Sequence, residues 1–242
     1  FDWFWAIDDV KITTPDDHDV ALSGLYWGST GAWGDRLPYY QIPTAQVTAI
    51  DFSGVIANNG LLNQNATFGV QAGAFVGSSA PTLIPAFSSD TANCTASFTP
   101  AAANATITVN AGVQIDSTDA TPADNTIAGA ATIVINPNIY ARDLDDIASG
   151  SFNQGFGFEV GNIFDIYATD EISAIDVYIH PGANVGTEMY VKLYSIDAQT
   201  GDFVFVDESA PYTLGANDVD ALLTLPLQGG AFTLNAGEPY LV

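Results

Sequence analysis

The chain has 242 residues, 48% of them hydrophobic and 13% charged, so it can bury a sizeable core and is not a disordered tail. Its 28 acidic residues stand against 4 basic ones, and the formal net charge of −24 repels nucleic-acid phosphates and anionic membrane surfaces. Of the acids 23 are Asp and 5 are Glu. Asp favours turns and caps where helix surfaces take Glu, Lys and Arg, so the composition points to strands joined by Asp-bearing turns.

In chain order, residues 1–14 predict an aromatic strand, Trp3-Phe4-Trp5-Ala6-Ile7 followed by Val10-Lys11-Ile12, which needs a sheet to cover its rings. The chain opens in mid-strand, holds one Met, at 189, and closes on the apolar run Glu238-Pro239-Tyr240-Leu241-Val242. The expectation is a processed or partial stretch of a larger polypeptide, with its last module truncated. Residues 15–40 mix turn formers with Tyr26, Trp27 and Trp33 and predict a packed aromatic linker.

From 41 to 136, short strands alternate with Asn/Gly/Pro/Asp turns, the pattern of an all-β sandwich. Val47–Phe52 leads through Val55-Ile56 to the turn Asn58-Asn59-Gly60. The β-branched runs Thr106–Val109 and Ala131–Ile135 flank an acidic turn from Asp116 to Asn125, and Pro137 marks a boundary. A second β-sandwich is expected over 137–242. There Ile175, Val177 and Ile179 alternate with polar residues, and Met189–Tyr194, a loop at Asp197–Asp202 and Phe203–Val206 predict a hairpin. Little helix is expected, and no apolar window is long enough for a transmembrane helix. Cys94 has no partner for an internal disulfide and reads as a bland, half-buried thiol.

Trp5-Ala6-Ile7-Asp8-Asp9-Val10-Lys11-Ile12 resembles the last strand of jelly-roll modules related to MAM and cleaved-adhesin domains. The 41–136 block, with Asn58-Asn59-Gly60 early and Asp119–Thr126 before its final strand, resembles Ig-like, CARDB-type modules. The third block resembles the β-sandwiches that follow them in large secreted or surface proteins of Bacteroidota. What the resemblance implies is an extracellular or cell-surface bacterial protein, with neighbouring modules, copies of the same protein or surface glycans as partners. It also implies that one Asp of Asp8-Asp9 serves a structural turn or a cation.

The sequence is poor in catalytic parts. His18 and His180 are the only histidines, without zinc-ligand spacing, and no nucleophile elbow, phosphate-binding loop or dinucleotide fingerprint is present. Clustered loop Asp suits a hard cation such as Ca2+ better. Asp143, Asp145 and Asp146, with Gly150 following, form the tightest cluster, and Asp16, Asp17 and Asp19 the second. Neither fits an EF-hand, since Ile147 takes the fifth position; solvated surface acids are the alternative. Trp27, Trp33, Tyr39 and Tyr40 could make a sugar-stacking platform or pack between domains. Thr91 and Ser117, each after an Asp, fit the O-glycan acceptor pattern that accompanies the family resemblance. Together these features predict a non-catalytic stalk, adhesin or fibre segment. The alternatives are an accessory region of a secreted protease or glycosidase, or a carbohydrate-binding module.

Overall fold

The structure, a computed structural model, describes residues 14–28, 30–31, 34–35, 39–142 and 157–242. It is all-β. The first strands are β1 (Val20–Gly28), β2 (Thr30–Gly31), β3 (Gly34–Asp35), β4 (Gln41–Pro43), β5 (Asp51–Asn58), β6 (Gln64–Ala72) and β7 (Phe75–Ser78). Next come β8 (Thr82–Ile84), β9 (Ser88–Asn93), β10 (Ala105–Ile115), β11 (Thr126–Asn136), β12 (Ile163–Asp165), β13 (Asp170–Ile172) and β14 (Ala174–Ile179). The last are β15 (Glu188–Met189), β16 (Lys192–Ile196), β17 (Phe203–Glu208), β18 (Tyr212–Thr213), β19 (Ala221–Pro226), β20 (Phe232–Leu234) and β21 (Pro239–Leu241). Among the described residues the helical content is a single 3-10 turn, Thr44–Gln46, and no helix is long and apolar enough to cross a membrane. The expected strand over 1–14 falls outside the described residues, apart from Thr14.

The chain forms two compact units, each assembled from separated stretches. The first takes the described residues up to Trp27, with Ile50–Phe98 and Ile107–Ala131. The second takes the described residues of Gly28–Ala49, Thr99–Thr106 and Thr132–Val242.

In the first unit a sheet ordered β1-β5-β9 packs on one containing β11, β10, β6 and β7, with β8 also paired to β6. Strict alternation drives the packing. Phe52, Gly54, Ile56 and Asn58 of β5 point inward, as do Ala66, Phe68, Val70 and Ala72 of β6, while their neighbours are exposed or half-buried. Phe68 and Ile56 are completely buried, each worth roughly 1.5–3 kcal/mol of transfer free energy. Gly54 lies against the Phe68 ring, leaving no room for a side chain. Phe52, Phe75 and Phe98 add a three-ring cluster with centroids 5.4–6.4 Å apart.

The segment expected as a linker contains the nine-residue strand β1, which belongs to this sheet. The predicted turn at Asn58-Asn59-Gly60 does follow β5. Asn58 is 1% exposed and donates to Leu62 O and Ile84 O, while its Oδ1 accepts from Gly60 N.

In the second unit the sheet order is β12-β21-β16-β17, accompanied by the ribbons β13-β20, β14-β19 and β15-β18. Ile166, Ile175, Val191, Leu193, Leu225, Leu227, Leu234 and Tyr240 form its core. The predicted hairpin is present as β16 against β17, antiparallel, with a bulge between Leu193 and Tyr194. Because β17 is the edge strand, Phe203, Val204 and Phe205 remain about half exposed. The start of the block expected as the first sandwich joins this unit instead: β4 pairs in parallel with Val134–Asn136 of β11.

Beyond β4, Tyr39 and Gln46 fasten the same stretch. The Tyr39 hydroxyl donates to Asp165 O at 2.8 Å and accepts from Asp165 N at 2.7 Å. Arg142, 3% exposed, lies 4.4 Å over the Tyr39 ring and 3.5 Å from the Asp165 carboxylate. Burial pushes the Tyr39 hydroxyl well above its ordinary pKa. Gln46, 2% exposed, accepts from Tyr167 N and Ala168 N through Oε1 and donates to Ala168 O through Nε2.

A carboxylate braces the turn into β21. Glu238 accepts from Asn235 Nδ2 at 3.0 Å and from the hydroxyl of the buried Tyr240 at 2.9 Å. These two bonds hold its pKa below the usual glutamate value. A depressed folded-state pKa stabilises above the unfolded value, about 4.3, and the contribution is lost as pH falls through the folded value. The Tm advantage of the wild type over Glu238→Gln is therefore expected to shrink between pH 7 and pH 3. Thermal melts at both pH values check this, and a gap that widens in acid would contradict it.

Candidate cation site

Residues 16–22 run between two loops of the first unit, and backbone hydrogen bonds hold them on both sides. On one side the carbonyls of Asp16, Asp17 and Asp19 accept from Leu61, Leu62, and both Asn59 and Gly60. Gly60 is needed for this approach, since a Cβ there would sit 2.8 Å from Asp17 O and 2.9 Å from Asp19 N. On the other side Ala120 N donates to His18 O, and Leu22 N to Asp124 O. Asp119 completes the junction: Oδ2 accepts from Val20 N at 2.9 Å and Oδ1 from Thr121 N at 2.8 Å.

This arrangement gathers three carboxylates. One oxygen each from Asp19, Asp119 and Asp124 lie within 4.8 Å of one another. Asp19 and Asp119 are half-buried and Asp124 is exposed. Asp19 Oδ1 is fully buried and has no hydrogen-bond partner; the same holds for Oδ1 of Asn125, a residue 9% exposed. Partial desolvation, followed by the negative charges of Asp19 and Asp119, raises the pKa of Asp124. The described residues of this unit include no Lys or Arg to balance the cluster, since Arg142 and Lys192 belong to the second unit.

Asp19 is thus the one residue of its predicted cluster in this group, and its partners come from the β10–β11 turn about a hundred residues away. Asp16 and Asp17 are exposed, act through their backbone carbonyls and are not members. Asp143, Asp145 and Asp146 lie outside the described residues, as does Trp33. Trp27 is half-buried, with its indole N–H buried and unpartnered among the described residues.

Tyr39 does not offer an open sugar-stacking face, because Arg142 covers it and Tyr140 and Phe164 pack within 6.2 Å. Tyr40 is half-buried beside it, with its backbone bonded to Ala141 O and Val134 N. Thr91, on β9, and Ser117, in the β10–β11 turn, are both exposed.

The remaining reactive groups serve local structure. Gln64 Nε2 lies 2.7 Å from His18 Nδ1, and His180 Nδ1 accepts from Gly182 N at 2.9 Å. Cys94 is half-buried, with its Sγ packed against Gly77.

No protein-family model matches the chain, and no curated protein matches it. The chemistry available at Asp19, Asp119 and Asp124 is that of an all-oxygen, acceptor-only site, suited to a hard cation and unsuited to zinc or copper, which favour nitrogen and sulfur.

Proposed function

We propose that this chain is a non-catalytic structural or adhesive segment of a large extracellular bacterial surface protein, forming part of a stalk, adhesin or fibre. The observation that carries the reading is the use made of its chemically capable side chains. His180, Asp119, Asp197 and Gln46 accept hydrogen bonds from backbone N–H groups, and Asn58 and Gln64 donate to backbone carbonyls. Such side chains brace turns and strand ends, a use in keeping with a load-carrying β module. The resemblance of its short motifs to jelly-roll and CARDB-type modules supports the same reading, as does an acidic surface that suppresses edge-to-edge strand pairing.

Fractionation of cells that make the natural polypeptide tests it. The chain is expected in the surface or medium fraction, and deletion of its coding segment is expected to reduce adhesion or surface assembly without loss of an enzymatic activity. Recovery in the cytoplasm alone, or loss of a hydrolase activity on Asp-to-Asn substitution within the described chain, overturns the reading.

A further inference from the structure

We propose that Leu61, Leu62, Leu83 and Phe87, at one end of the first unit, form a docking surface for a segment of another protein that carries large apolar side chains beside Lys or Arg. The proposal goes beyond the structural or adhesive role given above and does not depend on it. Three observations converge on it.

The first is exposure. Leu61 is 42%, Leu62 48%, Leu83 58% and Phe87 63% exposed. The fold gathers them: Asn58, the last residue of β5, pairs with Ser88, the first of β9. Asn58 Nδ2 donates to both Leu62 O and Ile84 O, and Ala86 N donates to Asn63 Oδ1. The β5–β6 loop and the β8–β9 turn are thereby held side by side. Single exposed leucines need no explanation, whereas large apolar side chains grouped on a braced backbone mark an interaction surface.

The second is the backbone at Phe87. It is the third residue of the turn Pro85–Ser88, closed by Ser88 N donating to Pro85 O at 3.2 Å, and its φ is 56°. Turns with a left-handed third residue take Gly or Asn there, because that region strains a bulky side chain. A ring buried in the core would offset the strain from within the fold, and a ring 63% exposed does not. What offsets it is a contact made from outside.

The third is charge, which selects the occupant. Leu61 N and Leu62 N donate to the carbonyls of Asp16 and Asp17, so these two exposed acids border the loop. A cation beside the apolar anchors of a partner meets them with complementary charge. The same acids repel an anionic lipid surface. A second copy in symmetric contact brings Asp16 and Asp17 toward their own counterparts, between chains of net charge −24 each.

Fluorescence anisotropy of the whole chain with a labelled peptide of alternating Lys and Phe tests the surface, in about 0.15 M NaCl to screen diffuse attraction. Saturable binding is expected, weakened about tenfold or more in Phe87→Gly and also weakened in Asp16→Asn/Asp17→Asn. A control peptide with Ser in place of Phe is expected to bind more weakly by about the same factor. Glycine suits the φ of 56°, so Phe87→Gly keeps the fold, with a Tm expected at or above that of the wild type. Leu222→Ser, at a side chain 65% exposed in the second unit, is expected to leave the affinity unchanged. Absence of saturable binding, equal binding by wild type and Phe87→Gly, equal binding of the two peptides, or a lower Tm in Phe87→Gly each overturns the assignment. So does loss of binding in Leu222→Ser alone. Attachment to phosphatidylcholine vesicles, or a dimer in sedimentation, that depends on Phe87 and occurs without peptide binding also overturns it.

Discussion

Replacing Gly54 by alanine is expected to destabilise the first unit by about 3 kcal/mol, at the upper end for overpacking a core. The position faces inward on β5, and a Cβ there would stand 2.2 Å from Cδ2 and 2.6 Å from Cε2 of Phe68. Neither side can yield easily. The Phe68 ring is 0% exposed, and Gly54 pairs with Ala92 on the neighbouring strand β9, so backbone retreat would break the ladder. Urea denaturation of the wild type, Gly54→Ala, Phe68→Leu and the double variant measures the effect and assigns it. The smaller Leu is expected to relieve the clash, so that the double variant loses at least about 1 kcal/mol less than the sum of the single changes. Strict additivity would show that the glycine matters through backbone freedom and not through the ring.

Gln46→Ala is the second large effect, expected to cost about 3 kcal/mol. Removing the side chain deletes three part-buried hydrogen bonds, from Tyr167 N, from Ala168 N and to Ala168 O, each worth about 0.5–1.5 kcal/mol. Gln46→Met, which keeps the volume and loses the bonds, separates the two contributions. If Met restores the wild-type denaturation midpoint, packing and not hydrogen bonding is what Gln46 provides.

The two sites differ in how plainly the sequence announces them. The strand through Phe52, Val55 and Ile56, the Asn58-Asn59-Gly60 turn and the β16–β17 hairpin were legible because each depends on residues close together in the chain. Strand β1 was not: with Gly24 and Gly28 among its nine residues it reads as a connector, and it becomes a strand through its place beside β5. Strand β4 is three residues long and ends in Pro43, a residue that argues against a strand until the parallel partner at Val134–Asn136 is seen. Asp19 stood out as one of several clustered acids, whereas Asp119 and Asp124 looked like turn formers. Their convergence is a product of folding, and no local spacing encodes it. Gln46 carried no signal at all, since a lone Gln between Ala45 and Val47 gives no hint that four groups around residues 167–170 converge on it.

The interleaving of the two units in sequence sets an order of events as the chain is made. By residue 131 every stretch of the first unit exists, so that unit can close while the rest is still to come. The second unit has the opposite history. Tyr39 and Gln46 emerge early, yet their partners lie 126 and about 122 residues further on. At about 5–20 residues per second this is a wait of roughly 6–25 s, during which a segment rich in aromatic side chains has no core to enter. Closure of the first unit leaves a shorter length of loose chain to be kept from misassembly until the C-terminal strands arrive.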